Sequence, residues 1–413
     1  MQKTFDIGII GAGPAGYTAA FHARKQGLSV VLFEKDKVGG VCLNRGCIPT
    51  KTILHCAEVY EEMNCASDLG IQVDNVKVDF AKVLERKEKT VEKIRKGLEL
   101  ALKNSGTIVI NSEAHILNNK QIKTNGEIYD CKKIIVATGS QPRSLKGMEF
   151  DHKFILNSDD ILNLENLPKS IAIIGSGAIG AEWARIFAAF GVEVSIIEVA
   201  ERLLPLADVE VSKRLERIFK TKKIKMHLKS CVEKIEDKKV YLSTGETLEP
   251  EKVLIAVGRR PRNEDKSDGI AYIGDVAGSI QLAHFAIKQA IAEVSGIAFD
   301  KNLVPSVVYG CPEIAWVGKR EQDLQEGSYQ KAMILVSALG KSHCDNCSEG
   351  FIKILSQNNK IVGAHIVSKE ASALIHQILI AIQNDISVSK LREVCFAHPT
   401  YSEGIFECLF KLD

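Results

Sequence analysis

No apolar run in this sequence approaches the roughly 18 residues of a membrane span; the stretch Leu374 to Ile382 is short and holds His376 and Gln377. Charge of neither sign is in excess. Lys plus Arg number 54 against 52 Asp plus Glu, a balance that argues against nucleic acid and against an anionic membrane as partners. No signal peptide is expected, because Met1-Gln2-Lys3-Thr4-Phe5-Asp6 runs straight into a predicted strand. The 11 cysteines are an odd number scattered without a framework, as expected of a reducing compartment where any disulfide is catalytic, not structural. Together these absences predict a cytoplasmic protein. Its 413 residues are material for roughly two to four domains.

What is present centres on Gly39-Gly40-Val41-Cys42-Leu43-Asn44-Arg45-Gly46-Cys47-Ile48-Pro49-Thr50-Lys51. In a regular helix two cysteines at this spacing hold their Cα atoms roughly 8 to 9 Å apart, beyond the roughly 7 Å that a disulfide allows. The backbone must bend if the sulfurs are to meet, and Gly46 can supply the bend. Pro49 suits the first turn of a following helix. Lys51 falls one turn beyond Cys47 on the same face, where its charge would favour a Cys47 thiolate. A bare cysteine pair at this spacing reads more readily as two ordinary buried thiols; the flanking Gly-Gly, Gly-Cys-Ile-Pro and Lys argue for chemistry.

A nucleotide fingerprint occurs twice. The apolar run Phe5 to Ile10 enters Gly11-Ala12-Gly13-Pro14-Ala15-Gly16, Tyr17 to Lys25 reads as a helix, and the strand Val30 to Phe33 ends at Glu34. Ser170 to Ile174 enters Gly175-Ser176-Gly177-Ala178-Ile179-Gly180, and Val192 to Ile197 ends at Glu198. The interval from Gly16 to Glu34 equals that from Gly180 to Glu198. Glycines allow a tight turn and close approach of a pyrophosphate to a helix N-terminus, while the acid can accept from ribose hydroxyls. Two such units predict two nucleotides. Glu198 would repel a 2′-phosphate, and Val199 to Glu201 supply no Arg to receive one, so the second is expected to be NAD, not NADP. Elsewhere, apolar residues at helical spacing from Asp79 to Lys103 predict a solvated amphipathic helix. Residues Thr107 to Asp130 read as short strands at Asn-Asn-Lys and Asn-Gly turns. Lys133 to Ser140 reads as a separate buried strand with a Gly exit. Phe351 to Leu355 and Ile361 to Val367 read as a hairpin, and Ala371 to Asn384 as a helix burying Leu374, Ile378 and Ile382.

The segment from Gly39 to Lys51 closely resembles the redox motif of the class I pyridine nucleotide–disulfide oxidoreductases, and among them the dihydrolipoamide dehydrogenases; further family segments recur in order almost to the C-terminus. The resemblance implies an α/β chain with two Rossmann-like dinucleotide-binding domains and a C-terminal α+β dimerisation domain. It divides the chain into a split FAD-binding domain (1–140 and 270–298), an NAD-binding domain (141–269) and a dimerisation domain (299–413). FAD would be bound by Gly11, Gly13, Pro14, Ala15, Gly16, Glu34, Lys35, Gly40, Val41, Cys42, Lys51, Thr138, Gly139, Ser140, Gly274, Asp275, Leu282, Ala283 and His284. NAD would be bound by Gly175, Gly177, Ala178, Ile179, Gly180, Glu198 and Gly258. The resemblance further implies that Cys42 and Cys47 form a reducible disulfide, with Cys42 exchanging with substrate and Cys47 nearer the flavin. Lys51 would pair with Glu182 beside the flavin; by position alone Glu182 reads equally as a first-turn helix acid favoured by the dipole. In Phe396-Ala397-His398-Pro399-Thr400-Tyr401-Ser402-Glu403, His398 would serve the partner subunit as acid–base group with Glu403 holding its imidazole. The implied activity is NAD-linked oxidation of dihydrolipoamide by a homodimer, with the lipoyl-bearing domain of a 2-oxo acid dehydrogenase or glycine cleavage complex as partner.

Two departures stand out. Only Arg262 to Gly269 separate the segments resembling the NAD-domain exit and the second flavin motif, where relatives typically carry a few tens of residues. Phe396 stands where a second His is common. Other members fit less well: glutathione-type reductases usually carry Cys-Val-Pro-Lys-Lys, mercuric reductases end on a vicinal cysteine pair where Cys408 stands alone, and a catalytically impaired structural paralogue has no need of the intact set Cys42, Cys47, Lys51, Glu182, His398 and Glu403. His343, Cys344 and Cys347 lie together in a polar stretch but read as incidental loop thiols, not as a metal site.

Overall fold

The strand Val30–Glu34 is buried along its whole length, the pattern of a parallel strand covered on both faces, and it lies inside a sheet. In the computed structural model, which describes residues 3–262 and 266–412, the order of that sheet is Ile108–Asn111, Val30–Glu34, Lys3–Ile10, Glu127–Val136, Gln121–Thr124, His115–Asn118. The two strands expected on either side of Cys131 are one, Glu127–Val136. No Gly or Pro interrupts it, and it pairs antiparallel with Gln121–Thr124 on one edge and parallel with Lys3–Ile10 on the other. Asn125 and Gly126 both have positive φ (49° and 80°), the geometry of a tight hairpin turn.

A second parallel sheet runs Lys225–His227, Glu193–Ile197, Ser170–Ile174, Lys252–Ile255, Ile155–Leu156. The chain then leaves through Arg259–Pro261, which pairs antiparallel with Ser140–Pro142, and returns to the first sheet at Ala271–Tyr272, parallel to Glu127–Val136. The shortened connection holds at least two anchors: Arg262 N–H donates to the Gly139 carbonyl at 3.1 Å and Lys266 Nζ to the Ala277 carbonyl at 2.9 Å. Residues 263–265 of that connection lie outside the described residues.

The C-terminal sheet is antiparallel, in the order Ser306–Val308, Glu313–Gly318, Lys360–Ser368, Phe351–Gln357, Gln330–Leu335. The helices Ala371–Gln383 and Glu403–Lys411 pack on it, burying Leu374, Ile378, Ile405 and Leu409 in one apolar cluster with Ile352, Ile354 and Ile366. The helix expected from Asp79 is Phe80–Asn104, capped by the Asp79 carboxylate, which accepts from Lys82 N–H. It lies against the helix Cys47–Asn64. No described helix is long and apolar enough to cross a membrane.

Candidate active site

The residues between Gly39 and Lys51 form two helices and a break. Gly40–Arg45 ends at Gly46, and Cys47–Asn64 begins immediately after it. A side chain at Gly46 would start 3.0 Å from the Val41 carbonyl oxygen and 3.3 Å from Cys42 Cα, so a larger residue would have to push the first helix back by a few tenths of an ångström. The bend turns the first cysteine back onto the second: both are thiols, and their sulfurs are 2.7 Å apart. Cys47 opens an 18-residue helix, where the macrodipole favours an anion.

Charge sharpens that asymmetry. The hydrogen bond from Cys42, helped by the Lys51 charge, overcomes burial and draws the Cys47 thiol down to about 7. The same hydrogen bond, with burial, pushes Cys42 up. Lys51 Nζ donates to both Glu182 carboxylate oxygens, at 2.7 and 3.0 Å, and lies 4.7 Å from the centre of the Tyr309 ring. Burial works against the ammonium, but Glu182 and Cys47 hold it above its ordinary value. Glu182 itself is buried, in the second turn of the helix Ala178–Ala189, so a first-turn dipole does not account for it. Its Oε1 also accepts from Tyr309 N–H at 3.1 Å. Tyr309 was invisible as a site residue in the sequence because its two partners, Lys51 and Glu182, are remote along the chain.

The thiols open into one cavity of about 1710 Å³ that also takes in both fingerprint loops. A single small-ligand pocket is usually about 300 to 1,000 Å³, so this volume suits two nucleotides. The two cradles are built alike. The Glu34 carboxylate accepts from Ala12 N–H at 2.8 Å and Asp36 N–H at 2.9 Å; Glu198 accepts from Ser176 N–H and Ala200 N–H, each at 2.9 Å. A Cβ at Gly16 would sit 1.8 Å from the Gly11 carbonyl oxygen and one at Gly180 1.9 Å from that of Gly175, so each third glycine lets the helix press against its own loop. Between the cradles, Thr138 Oγ1 is buried without a partner and lines the cavity, an orphaned polar atom waiting for a ligand. Ser140 Oγ donates to Asp275 at 2.6 Å and accepts from Arg259 Nε at 2.8 Å. Arg259 was not singled out from the sequence, and its place in the segment leading out of the second sheet was the available signal.

All of the expected nucleotide-contact residues face this cavity except Gly16, Gly180 and His284. The two glycines act through packing. His284 Nε2 is 2.8 Å from the Pro305 carbonyl oxygen, while Leu282 and Ala283 line the cavity.

His398 and Glu403 are together but elsewhere. His398 Nδ1 lies 2.8 Å from Glu403 Oε1, and Thr400 N–H donates to Glu403 Oε2 at 2.8 Å. The bond to His398 holds the Glu403 carboxyl below its ordinary value. The imidazole is 75% exposed, and neither residue lines the cavity of its own chain. Phe396 packs against Phe406, ring centres 5.5 Å apart. His343 Nε2 is spent on the Ser337 carbonyl at 2.8 Å.

Comparison with known proteins gives a consistent picture. Residues 5–272 match the family described as pyridine nucleotide-disulphide oxidoreductase, and residues 304–408 its dimerisation domain. The chain is 34% identical over 444 aligned positions to a dihydrolipoyl dehydrogenase of Chlamydia muridarum, covering 98% of this chain and 96% of the relative. It is 33% identical over 468 positions to a dihydrolipoyl dehydrogenase of Bacillus subtilis, covering 100% and 99%. Among solved structures, the Cu(II) complex of the HOCl-induced flavoprotein disulfide reductase RclA from Escherichia coli has a TM-score of 0.87 at 27% identity over 99% of each chain. LpdA from Mycobacterium tuberculosis has a TM-score of 0.91 at 23% identity over 99% of each chain, a likeness of fold alone.

Proposed function

The chain belongs to the pyridine nucleotide–disulphide oxidoreductase family, and from that premise we propose that it is a homodimeric dihydrolipoyl dehydrogenase of the cytoplasm, oxidising protein-bound dihydrolipoamide to lipoamide with NAD+ as acceptor. One observation carries the reading: the Lys51–Glu182 bridge ties the Cys47 helix to the helix of the second fingerprint, so the dithiol and both nucleotide cradles share one cavity. In this reading the cradle at Gly11 to Gly16 with Glu34, Thr138 and Asp275 holds FAD, the cradle at Gly175 to Gly180 with Glu198 holds NAD, and the chain divides at 1–140 with 270–298, 141–269 and 299–413. FAD held there would supply a two-electron acceptor for the dithiol and a hydride donor for NAD+.

The chain's own residues handle sulfur and protons. With Cys42 and Cys47 joined, one dihydrolipoyl thiol gives its proton to His398 of the partner subunit and attacks Cys42 as the thiolate, and the bond to Cys47 breaks. Cys47 is the leaving sulfur because Lys51, whose charge favours the Cys47 thiolate, stands beside it while Cys42 is held by the substrate. The second dihydrolipoyl thiol then attacks the substrate sulfur of the mixed disulfide, its proton passing to the departing Cys42 sulfur, and lipoamide closes. Two electrons have then moved from the substrate to the cysteine pair. Glu403 fixes Nδ1 of that imidazole, which leaves Nε2 to take the proton. The lipoyl group arrives on the carrier domain of a 2-oxo acid dehydrogenase or glycine cleavage complex. The purified protein is expected to be yellow and to turn over lipoamide with NADH far faster than with NADPH, glutathione disulfide or no acceptor. A colourless protein without NADH-linked lipoamide turnover would overturn the proposal.

A further inference from the structure

A second pair of cysteines faces each other outside the cavity. Cys311 Sγ and Cys347 Sγ are 3.8 Å apart, in van der Waals contact, although the two residues come from separate loops of the C-terminal domain. Both are half-buried, and neither lines the nucleotide cavity. Cys311 belongs to a strap, residues 309 to 312, laid across the helix Ala178–Ala189. The strap is pinned at one end by Tyr309 N–H on Glu182 (3.1 Å) and at the other by Arg185 Nη1 on the Pro312 carbonyl (2.8 Å). Arg185 is 7% exposed, and its Nη2 is without a hydrogen-bond partner, so a buried cation stands beside the strap with donor capacity to spare. Cys347 lies in the loop that leads from Gly340–Cys344 to the strand Phe351–Gln357, its N–H bound to the Ser342 carbonyl at 2.9 Å.

The geometry points to Cys311 and Cys347 as a second, reversible dithiol–disulfide couple, separate from Cys42 and Cys47, that exchanges with small disulfides. The sulfurs need only close from 3.8 Å to the roughly 2.0 Å of a disulfide, and the two loops carry no regular structure at either cysteine. Their roles differ. The contact with Cys311, with Lys369 nearby, draws the Cys347 thiol down to about 7 against burial, whereas that contact and burial push Cys311 up. Cys347 is therefore the nucleophile. Its thiolate attacks the oxidant RS–SR, forming Cys347–S–SR and releasing one RS⁻. Cys311 then loses its proton, attacks the Cys347 sulfur and expels the second RS⁻. Two electrons pass to the small disulfide, which leaves as two thiols, and one new S–S bond remains in the protein.

The couple is placed to be felt at the reaction centre. Its strap carries the N–H that holds Glu182 and the ring that faces Lys51. Tyr401, fully buried in the segment between His398 and Glu403, has its hydroxyl pushed up by burial and then by Cys347 and Asp345.

The test is a disulfide map. The full-length protein is incubated with glutathione disulfide, free thiols are alkylated, and a tryptic digest is read without reduction. The expected result is a cross-link between the peptide holding Cys311, which ends at Lys319, and the peptide holding Cys347, which ends at Lys353, absent in Cys347→Ser and lost after dithiothreitol. The Cys42→Ser variant should still form it. Recovery of Cys311 and Cys347 as separately alkylated residues, or as stable glutathione adducts with no cross-link, would overturn the proposal.

Discussion

Lys51 and Glu182 are joined by a two-pronged ion pair between helices that begin at the two ends of the reaction path. Lys51 Nζ sits 2.7 and 3.0 Å from the carboxylate oxygens, one turn after Cys47, and the Glu182 side chain is only 5% exposed. The bridge fixes how the thiol faces the second nucleotide cradle; its Lys51 charge favours the Cys47 thiolate and its Glu182 charge opposes it. Tyr309 closes the arrangement from the C-terminal domain.

Replacing Lys51 by Gln removes that charge but leaves the hydrogen bond from Cys42, the larger influence on Cys47. The Cys47 thiol pKa is expected to rise, and its alkylation near pH 7 to slow roughly fivefold. The pH profile of its alkylation measures this directly. An unchanged profile would mean that Lys51 does not reach the sulfur electrostatically.

The exposed His398, outside the cavity of its own chain, predicts a site shared between subunits. A His398→Gln subunit and a Cys42→Ser subunit should each form an inactive homodimer. Their mixed dimer should recover about half of the wild-type turnover, since one of its two symmetric sites is whole. Co-purification on two tags, followed by the lipoamide assay, gives the answer. Glu403→Gln should lower kcat by roughly tenfold or more through loss of imidazole orientation and its charge, and it should shift the acidic limb of the pH–rate profile.

Much of this was legible because it is local. The bend at Gly46 brings Cys42 to Cys47 within a few residues, and each fingerprint carries its glycines and its acid in one strand–helix–strand unit. What was not legible depends on contacts between distant segments. Tyr309 meets Glu182, and Arg185 meets Pro312, each across 127 positions, and no periodicity or spacing reports such a contact. His284 shows the opposite limit: the motif put it at the right end of a helix and carried no sign of its contact with the Pro305 carbonyl. The adjacent Lys132 and Lys133 interrupt the apolar pattern of the strand Glu127–Val136 in the sequence, whereas in the structure Lys3–Ile10 pairs along both halves of it.

Glu198 should set the choice of nucleotide. Its carboxylate is already engaged by Ser176 N–H, Ser176 Oγ and Ala200 N–H, so it is held rigidly at the end of the strand Glu193–Ile197, where a ribose hydroxyl can add one more donor. Glu198→Gln removes the charge that repels a 2′-phosphate, and the ratio of kcat/KM for NADH over NADPH is expected to fall roughly tenfold. Steady-state assays with both nucleotides check it. An unaltered ratio would place discrimination elsewhere in the cavity.

His365 ties stability to pH. The imidazole is fully buried, with its Nε2 3.0 Å from the Lys319 carbonyl oxygen, 3.7 Å from the Asp208 carboxylate and in a cluster with Lys353 and Glu321. Burial outweighs Asp208 and draws its pKa down from 6.5 to about 4. In the unfolded chain the ring binds a proton near pH 6.5; in the folded protein it does so only near 4. Stability from this group is therefore complete above about 6.5 and is lost as pH falls toward 4, by about 3 kcal/mol in all. The Asp208 carboxyl, held below its ordinary value against burial by His365 and Lys353, is lost only at lower pH; burial also lowers His284, so His365 is read from the difference between wild type and variant. Chemical denaturation across that window should show the midpoint falling in the wild type and a flatter response in His365→Asn, a variant that cannot take up the proton. Parallel slopes for the two proteins would remove His365 as the source.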